Sequence, residues 1–379
     1  MKTNKLAVCA GLAALLACAA CGKGRAGAVS VSGRMTGGAE VAYAEHFNIE
    51  RLGGGAKLLT DYDGRKCLLV PDGAEAPDAE ADLTVRTPVK RAFFMSVTQA
   101  GLLDALGDDS LFDSVVAVTV PADDWVIEPV AEGLRSGRIQ YIAQNSSGEL
   151  NIEEAVELKP DIIFAGVMGP GGGDAFARFE EAGLPYVVVG EWLEDTNIAA
   201  FEWIKFIAAF YDREGEAEAV FTRRLERLDE LTELAAKIPA DERPVAAGGN
   251  VYSGVVYTQG GDSVAAGEWR KAGGRYFLPE GSGGGQLRLT MEEFFDRARN
   301  ADILIYSSMI KYTPNKRALL EESPLFAEFS AFKNDRIYVL ADGYYMNVGR
   351  IDEKFEETAA IFQPEMFTGG GLFFEKLPD

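Results

Sequence analysis

The sequence predicts an α/β protein of two Rossmann-like lobes flanking one helical segment, with a small β element ahead of them. Three observations predict it. From about residue 90 onward, continuous apolar runs alternate with amphipathic stretches, the grammar of βαβ units and a mostly parallel sheet. That grammar stops over 197–238, where apolar residues recur at spacings of three and four, and resumes after 244. The length of 379 residues exceeds one small domain and suits two lobes.

The chain opens with an address. Lys2 and Lys5 form a basic start, and 6–17 is almost wholly Leu, Ala, Val and Gly. That run is too short to span about 30 Å of hydrocarbon, so 1–17 reads as a signal peptide. It ends in Leu15-Leu16-Ala17-Cys18-Ala19-Ala20-Cys21-Gly22, which resembles a bacterial lipobox. Cys18 fits best, with Leu15 at the aliphatic position; Cys21 is the alternative. A diacylated cysteine would hold the protein on the outer face of a membrane, because two acyl chains anchor stably. The expected location is therefore extracytoplasmic and lipid-anchored, with 18–40 as linker. The polar, small-residue stretch 22–40 is its flexible part.

The β element is expected over 41–87. Apolar runs flank Asp63-Gly64, a hairpin signal. Cys67, in Cys67-Leu-Leu-Val70, reads as a small core residue. The first lobe, 88–190, is expected to place strands at 92–95, 115–120, 139–143, 161–165 and 186–190. Its helices fall at 98–106, 152–158 and 174–182. The connecting helical segment covers 191–240. The second lobe, 241–379, is expected to carry strands at 244–248, 255–258, 302–306 and 336–340, with helices at 263–272, 291–298 and 352–362.

Composition removes several functions. There are 37 Lys plus Arg against 59 Asp plus Glu, a net charge of -22. Duplex binding needs clustered cations, so no nucleic-acid face is expected. His46 is the only histidine, which excludes sites needing two histidines of this chain. No metal site and no cofactor are expected. Three of the four cysteines lie in the first 21 residues, so no disulfide framework is expected either. Gly169-Pro-Gly-Gly-Gly-Asp174 has neither a P-loop ending nor GxGxxG spacing. No nucleophile–base set is marked out, and the protein is not expected to be an enzyme.

Polar and aromatic residues collect where strands should end. In the first lobe these are Met95, Ser96 and Thr98, then Trp125, then Asn145. The second lobe offers Glu191-Trp192, Tyr252, Tyr306, and Tyr344 with Tyr345. Ligands of open parallel sheets bind beyond the carboxyl ends of strands. Tyr and Trp add contact area with a polar handle. These residues are the expected lining of a cleft for a bulky ligand.

At this point the chain resembles the ABC-importer substrate-binding proteins for iron chelates, haem and cobalamin. Asn151-Ile-Glu-Glu-Ala-Val-Glu-Leu-Lys-Pro-Asp-Ile-Ile-Phe is similar to a family signature, as are Tyr257-Thr-Gln-Gly-Gly-Asp-Ser263 and Leu289-Thr-Met-Glu-Glu-Phe. Gln363-Pro364-Glu365 stands where the family closes on His-Pro-Glu. The resemblance covers roughly 88–365 and implies two lobes joined by one long helix. It implies a metal-chelate or corrinoid ligand, an ABC permease dimer with its ATPase as partner, and a monomer. It implies that Glu153 and Glu292 dock on the permease. An iron–siderophore chelate ranks first, cobalamin second and haem third. For haem iron, tyrosinate ligation would fall to Tyr252, Tyr306, Tyr344 or Tyr345; for cobalamin, Trp125 and Trp192 are the aromatic walls. A lipid-anchored enzyme or an adhesive surface lipoprotein is the remaining alternative.

Overall fold

The computed structural model describes residues 41–144, 150–167 and 173–379, with backbone alone for 173–175. Cys18, Cys21 and Asn145 lie outside the described residues, as does most of the Gly169–Asp174 cluster. The chain divides into two compact units, with the division between Arg223 and Arg224.

Unit one opens with the β element. β1 (Asn48–Arg51), β2 (Lys57–Thr60), β3 (Lys66–Pro71) and β4 (Leu83–Thr87) pair in that order, the first two junctions antiparallel and the last parallel. The turn at Asp63-Gly64 forms as expected. Gly64 takes φ 81°, and Asp61 Oδ1 accepts the amides of Asp63 (3.1 Å) and Arg65 (2.9 Å). Cys67 is fully buried. The element is sewn to the lobe behind it: the Val188 amide donates to Asp61 Oδ2 at 2.8 Å, and the Tyr62 amide donates to the Val188 carbonyl at 3.1 Å.

Five parallel strands follow: β5 (Ala92–Phe94), β6 (Val115–Val118), β7 (Gln140–Tyr141), β8 (Ile162–Gly166) and β9 (Tyr186–Val189), in the order β7-β6-β5-β8-β9. Their helices are α1 (Val97–Asp104), α2 (Glu128–Ser136), α3 (Ile152–Leu158) and α4 (Gly173–Glu181). Every residue of β5 and β9 is buried. That double-sided burial is why these strands read as unbroken apolar runs. α1 starts on a capping box between Ser96 and Gln99, which satisfies two orphan amides.

The helical segment is two helices, α5 (Asn197–Ala209) and α6 (Glu214–Ala235). The break is a tertiary effect. The buried Lys57 ammonium donates to the Ala209 carbonyl (3.0 Å) and pairs with Asp212 (2.8 Å) and Glu214 (2.5 Å). Thr87 also donates to Asp212, which holds φ 55°. A cation is favoured at a helix C-terminus and an acid at the next N-terminus, so one lysine from the β element organises both ends. α5 also receives the start of the described chain. Glu202 accepts the amides of Ala42, Tyr43 and Ala44, and Glu194 accepts those of Glu45 and His46. α6 then runs the long connection from unit one into unit two.

Unit two holds β10 (Val245–Tyr252), β11 (Val255–Gln259), β12 (Arg275–Tyr276), β13 (Gln286–Leu289), β14 (Ile303–Met309), β15 (Ile337–Leu340) and β16 (Phe374–Lys376). The order is β13-β11-β10-β14-β15-β16, with β12 beside β10. The parallel core is β12, β10, β14 and β15; β11 pairs antiparallel with β10, β13 with β11, and β16 with β15. The antiparallel share exceeds the expectation of a mostly parallel lobe. Its source is the two-residue turn Ser253-Gly254, where both residues take positive φ and fold β10 back on β11. The helices are α7 (Val264–Lys271), α8 (Met291–Ala298), α9 (Lys316–Glu322), α10 (Ser330–Lys333) and α11 (Ile351–Phe362). Arg224 on α6 pairs with Asp352 (2.5 Å) and Glu353 (2.9 Å) of α11. Buried Glu357 of α11 accepts the amides of Gly371, Leu372, Phe373 and Phe374, fixing the final strand.

Candidate functional site

In unit one the carboxyl-end face of the sheet is built from the turns after β5, β6 and β9. Met95 follows β5 but points into the core; its carbonyl accepts the Thr119 hydroxyl at 2.8 Å. Ser96 and Thr98 are half-buried, with their hydroxyl oxygens 2.6 Å apart. Thr98 in turn donates to Glu191 in the turn after β9. Trp125 is 6% exposed, and its indole N–H donates to the Val120 carbonyl at 2.9 Å. It ties down its own loop rather than presenting a face. Glu191 and Trp192, grouped by sequence with the second lobe, belong to unit one. Trp192 is half-buried.

Sequence reading placed Glu191 at a strand end but gave no sign of its burial. It is 2% exposed. Burial pushes its carboxyl up to about 7, against a smaller pull from the Thr98 hydroxyl. Among the described residues one oxygen, Oε2, has no hydrogen-bond partner, and neither does the buried Nε2 of Gln99. The signal in the sequence was an acid placed one glycine after a fully apolar strand. Gly190 itself is required by a close approach: a Cβ there would lie 2.2 Å from the Tyr62 ring. Gly190→Ala is expected to cost about 1–3 kcal/mol through overpacking. Urea unfolding measures it, and an unchanged midpoint would mean Tyr62 can step aside.

In unit two the corresponding residues separate. Tyr252 is 40% exposed at the β10–β11 turn, its ring 6.5 Å from that of Tyr257. Tyr306 is 2% exposed, packed edge-on to Phe326, and its hydroxyl accepts the Val251 amide at 3.0 Å. It is a core residue, because β14 turns that side chain inward. Tyr344 and Tyr345 follow β15, half-buried, with rings 5.1 Å apart. The Lys354 ammonium lies 4.8 Å over the Tyr344 ring. Burial pushes the phenols of Tyr306 and Tyr345 well up and keeps them protonated.

Glu153 and Glu292 occupy matching positions, each the second residue of its helix and each exposed. Their neighbours serve as capping partners: Glu154 with Asn151, and Glu293 with Thr290. Among the described residues neither Glu153 nor Glu292 makes a hydrogen bond or ion pair.

The family profile described as periplasmic binding protein matches residues 95–344, well over half of the chain. The chain belongs to the periplasmic binding protein family. It is thus a substrate-binding protein of the ABC-transporter kind, and that family consists of solute-binding transport proteins. An uncharacterized lipoprotein of Methanocaldococcus jannaschii is 28% identical over 327 residues, 84% of this chain and 77% of that one. The fold is similar to that of a periplasmic heme binding protein from Pseudomonas aeruginosa, with a TM-score of 0.58 at 16% identity, covering 77% of this chain and 99% of that one. It is also similar to the periplasmic vitamin B12 binding protein of Vibrio cholerae, with a TM-score of 0.50 at 16% identity, covering 72% and 96%. A periplasmic binding protein acts outside the cytoplasm.

Proposed function

We propose that this periplasmic binding protein is a lipoprotein, anchored through Cys18, that captures an iron chelate of the siderophore type and delivers it to an ABC importer permease. The observation that carries the reading is the placement of half-buried Ser96, Thr98 and Trp192 beyond the strands of one sheet, and of Tyr344 and Tyr345 beyond the other. Family membership and the habit of open parallel sheets to bind ligands beyond their strand ends support reading those faces as the ligand-bearing ones. Glu153 and Glu292, exposed and unpaired, are proposed as the permease contacts.

A second reading is cobalamin or haem, which the two structural relatives bind according to their names. For haem the favourable observation is half-buried Tyr344 beyond β15, with the Lys354 ammonium over its ring. Tyr306 and Tyr345, held protonated by burial, are poor tyrosinate ligands.

Titrating the mature protein with a ferric siderophore, cobalamin and haem, following tryptophan fluorescence, tests this. Saturable quenching by the ferric siderophore is expected, and Trp192→Phe should remove most of it. Saturation by cobalamin or haem alone would replace the first reading by the second. No response to any of the three would sink both.

A further inference from the structure

Two lysines of unit two lie against tyrosine rings at the ends of neighbouring strands. β14 and β15 end side by side, with Met309 opposite Leu340, and the Ile310 amide donates to the Leu340 carbonyl at 2.8 Å. The turn after β14 carries Lys311, its ammonium 5.2 Å from the centre of the Tyr312 ring. The turn after β15 carries Tyr344, and Lys354 of α11 lies 4.8 Å over it. We propose that Lys311 and Lys354 form a cationic shelf that selects a negatively charged chelate, one presenting carboxylate or catecholate oxygens, over a neutral one. The inference rests on the reading that the strand-end face of unit two bears the ligand, and it names the charge class which that face accepts.

Neither lysine is placed where it serves the fold. Lys311 and Tyr312 are both exposed, Tyr312 by 42%. The turn beneath them is fixed without their side chains. The amides of Tyr312 and Thr313 donate to the Met309 carbonyl at 2.9 and 3.1 Å, and the buried Thr313 hydroxyl donates to Ser308 at 2.9 Å. Lys354 is half-buried and is the fourth residue of α11, close to a helix N-terminus that disfavours a cation. Among the described residues it forms no ion pair. A ring face holds an ammonium through its quadrupole but lacks the lone pairs of a carboxylate. The Lys354 N–H donors therefore remain for ligand oxygens, while Lys311 adds positive charge at the adjoining strand end.

The rest of the chain gives these two charges their importance. With a net charge of -22, the protein repels an anionic chelate unless the receiving face is locally positive. Nearby acids are accounted for. Asp352 and Glu353 pair with Arg224, and Glu353 also lies 3.6 Å from Arg350. Glu268 acts on Lys354 through its charge. Exposed Asp342, in the turn after β15, opposes the shelf, so Asp342→Asn should tighten anionic binding.

Ferric tris-catecholate and ferric citrate serve as anionic probes, with a neutral ferric hydroxamate and cyanocobalamin as neutral ones. The anionic probes should bind more tightly. Lys354→Met should weaken them roughly tenfold, as for one lost hydrogen bond to a charged group, and Lys311→Met by less. Lys354→Arg should retain most of the affinity, and neutral probes should not respond. Raising salt from about 0.05 to about 0.5 M should weaken anionic binding in wild type and much less in the double methionine variant. Methionine keeps an apolar stem over Tyr344, and circular dichroism checks the fold. Amine acetylation followed by mass spectrometry is the independent readout: bound ferric tris-catecholate should shield Lys311 and Lys354 but not exposed Lys271. Anionic binding that survives both lysine changes yet falls in Tyr344→Ala overturns the shelf and leaves the ligand face standing. Anionic binding indifferent to Tyr344→Ala and to both lysine changes overturns the ligand-face reading as well. Preference for a neutral probe, or no binding of either anionic one, overturns the selectivity.

Discussion

Replacing Glu202 with alanine is expected to cost about 3–5 kcal/mol of unfolding free energy, the usual consequence of breaking a buried ion pair from one side. Glu202 is fully buried on α5. Its carboxylate accepts the amides of Ala42 (2.9 Å), Tyr43 (2.7 Å) and Ala44 (2.8 Å), and pairs with buried Lys205 at 3.0 Å. Alanine would leave three amides and an ammonium without that partner. Lys205 keeps the more exposed Glu218, at 2.9 Å, and the Phe221 ring, 4.6 Å from its ammonium. Glu202→Gln retains an acceptor oxygen and should cost less. Urea denaturation gives the size, and protease nicking near 42–46 shows where the chain is released. A Glu202→Ala midpoint within experimental error of wild type would show that this segment contributes nothing to the fold.

Reversing both docking charges, Glu153→Lys with Glu292→Lys, is expected to abolish uptake while leaving ligand affinity unchanged. Exposed ion pairs contribute only about 0–1 kcal/mol each, so the two contacts must act together, and either reversal alone should reduce uptake only partly. A lysine in a helix's first turn opposes the macrodipole by about 0.3–1 kcal/mol. The double variant should therefore stay folded, which circular dichroism checks. Transport assays in cells and fluorescence titration of the purified protein separate the two effects. Normal uptake by the double variant would remove the docking assignment.

Much of the fold was legible because its signals are local. The helix expected over 152–158 forms at Ile152–Leu158, and that over 291–298 at Met291–Ala298. Each follows a capping residue, Asn151 or Thr290, whose side chain meets an amide three residues on. The parallel strands were legible because burial on both faces leaves an unbroken apolar run. What escaped lacked such signals. β4, reading Leu83-Thr-Val-Arg-Thr, and α2, which begins Glu128-Pro129, are polar enough to pass for loop. The break between α5 and α6 depends on Lys57, which lies more than 150 residues away in the chain.

The candidate site was legible only in outline. Met95, Trp125 and Tyr306 sit where polar and aromatic residues gather at strand ends, yet all three are buried in the folded chain. A sequence shows which residues reach a strand end, but whether the side chain turns inward depends on what packs against it. The same limit hid the burial of Glu191. An acid is read as solvated unless the surrounding packing is known, and here Thr98 comes from another strand's turn, 93 residues earlier.

By itself, then, the sequence determined the α/β class, the order of most strands and helices, the acidic surface and the exclusion of multi-histidine chemistry. Those follow from composition and periodicity, which act over a few residues. The tertiary structure decided that the β element is sewn to unit one, that the helical segment breaks at Asp212, and that a buried carboxyl lies beneath Ser96. Each of these depends on desolvation and hydrogen bonding between residues distant in the chain, and local pattern carries no record of such meetings.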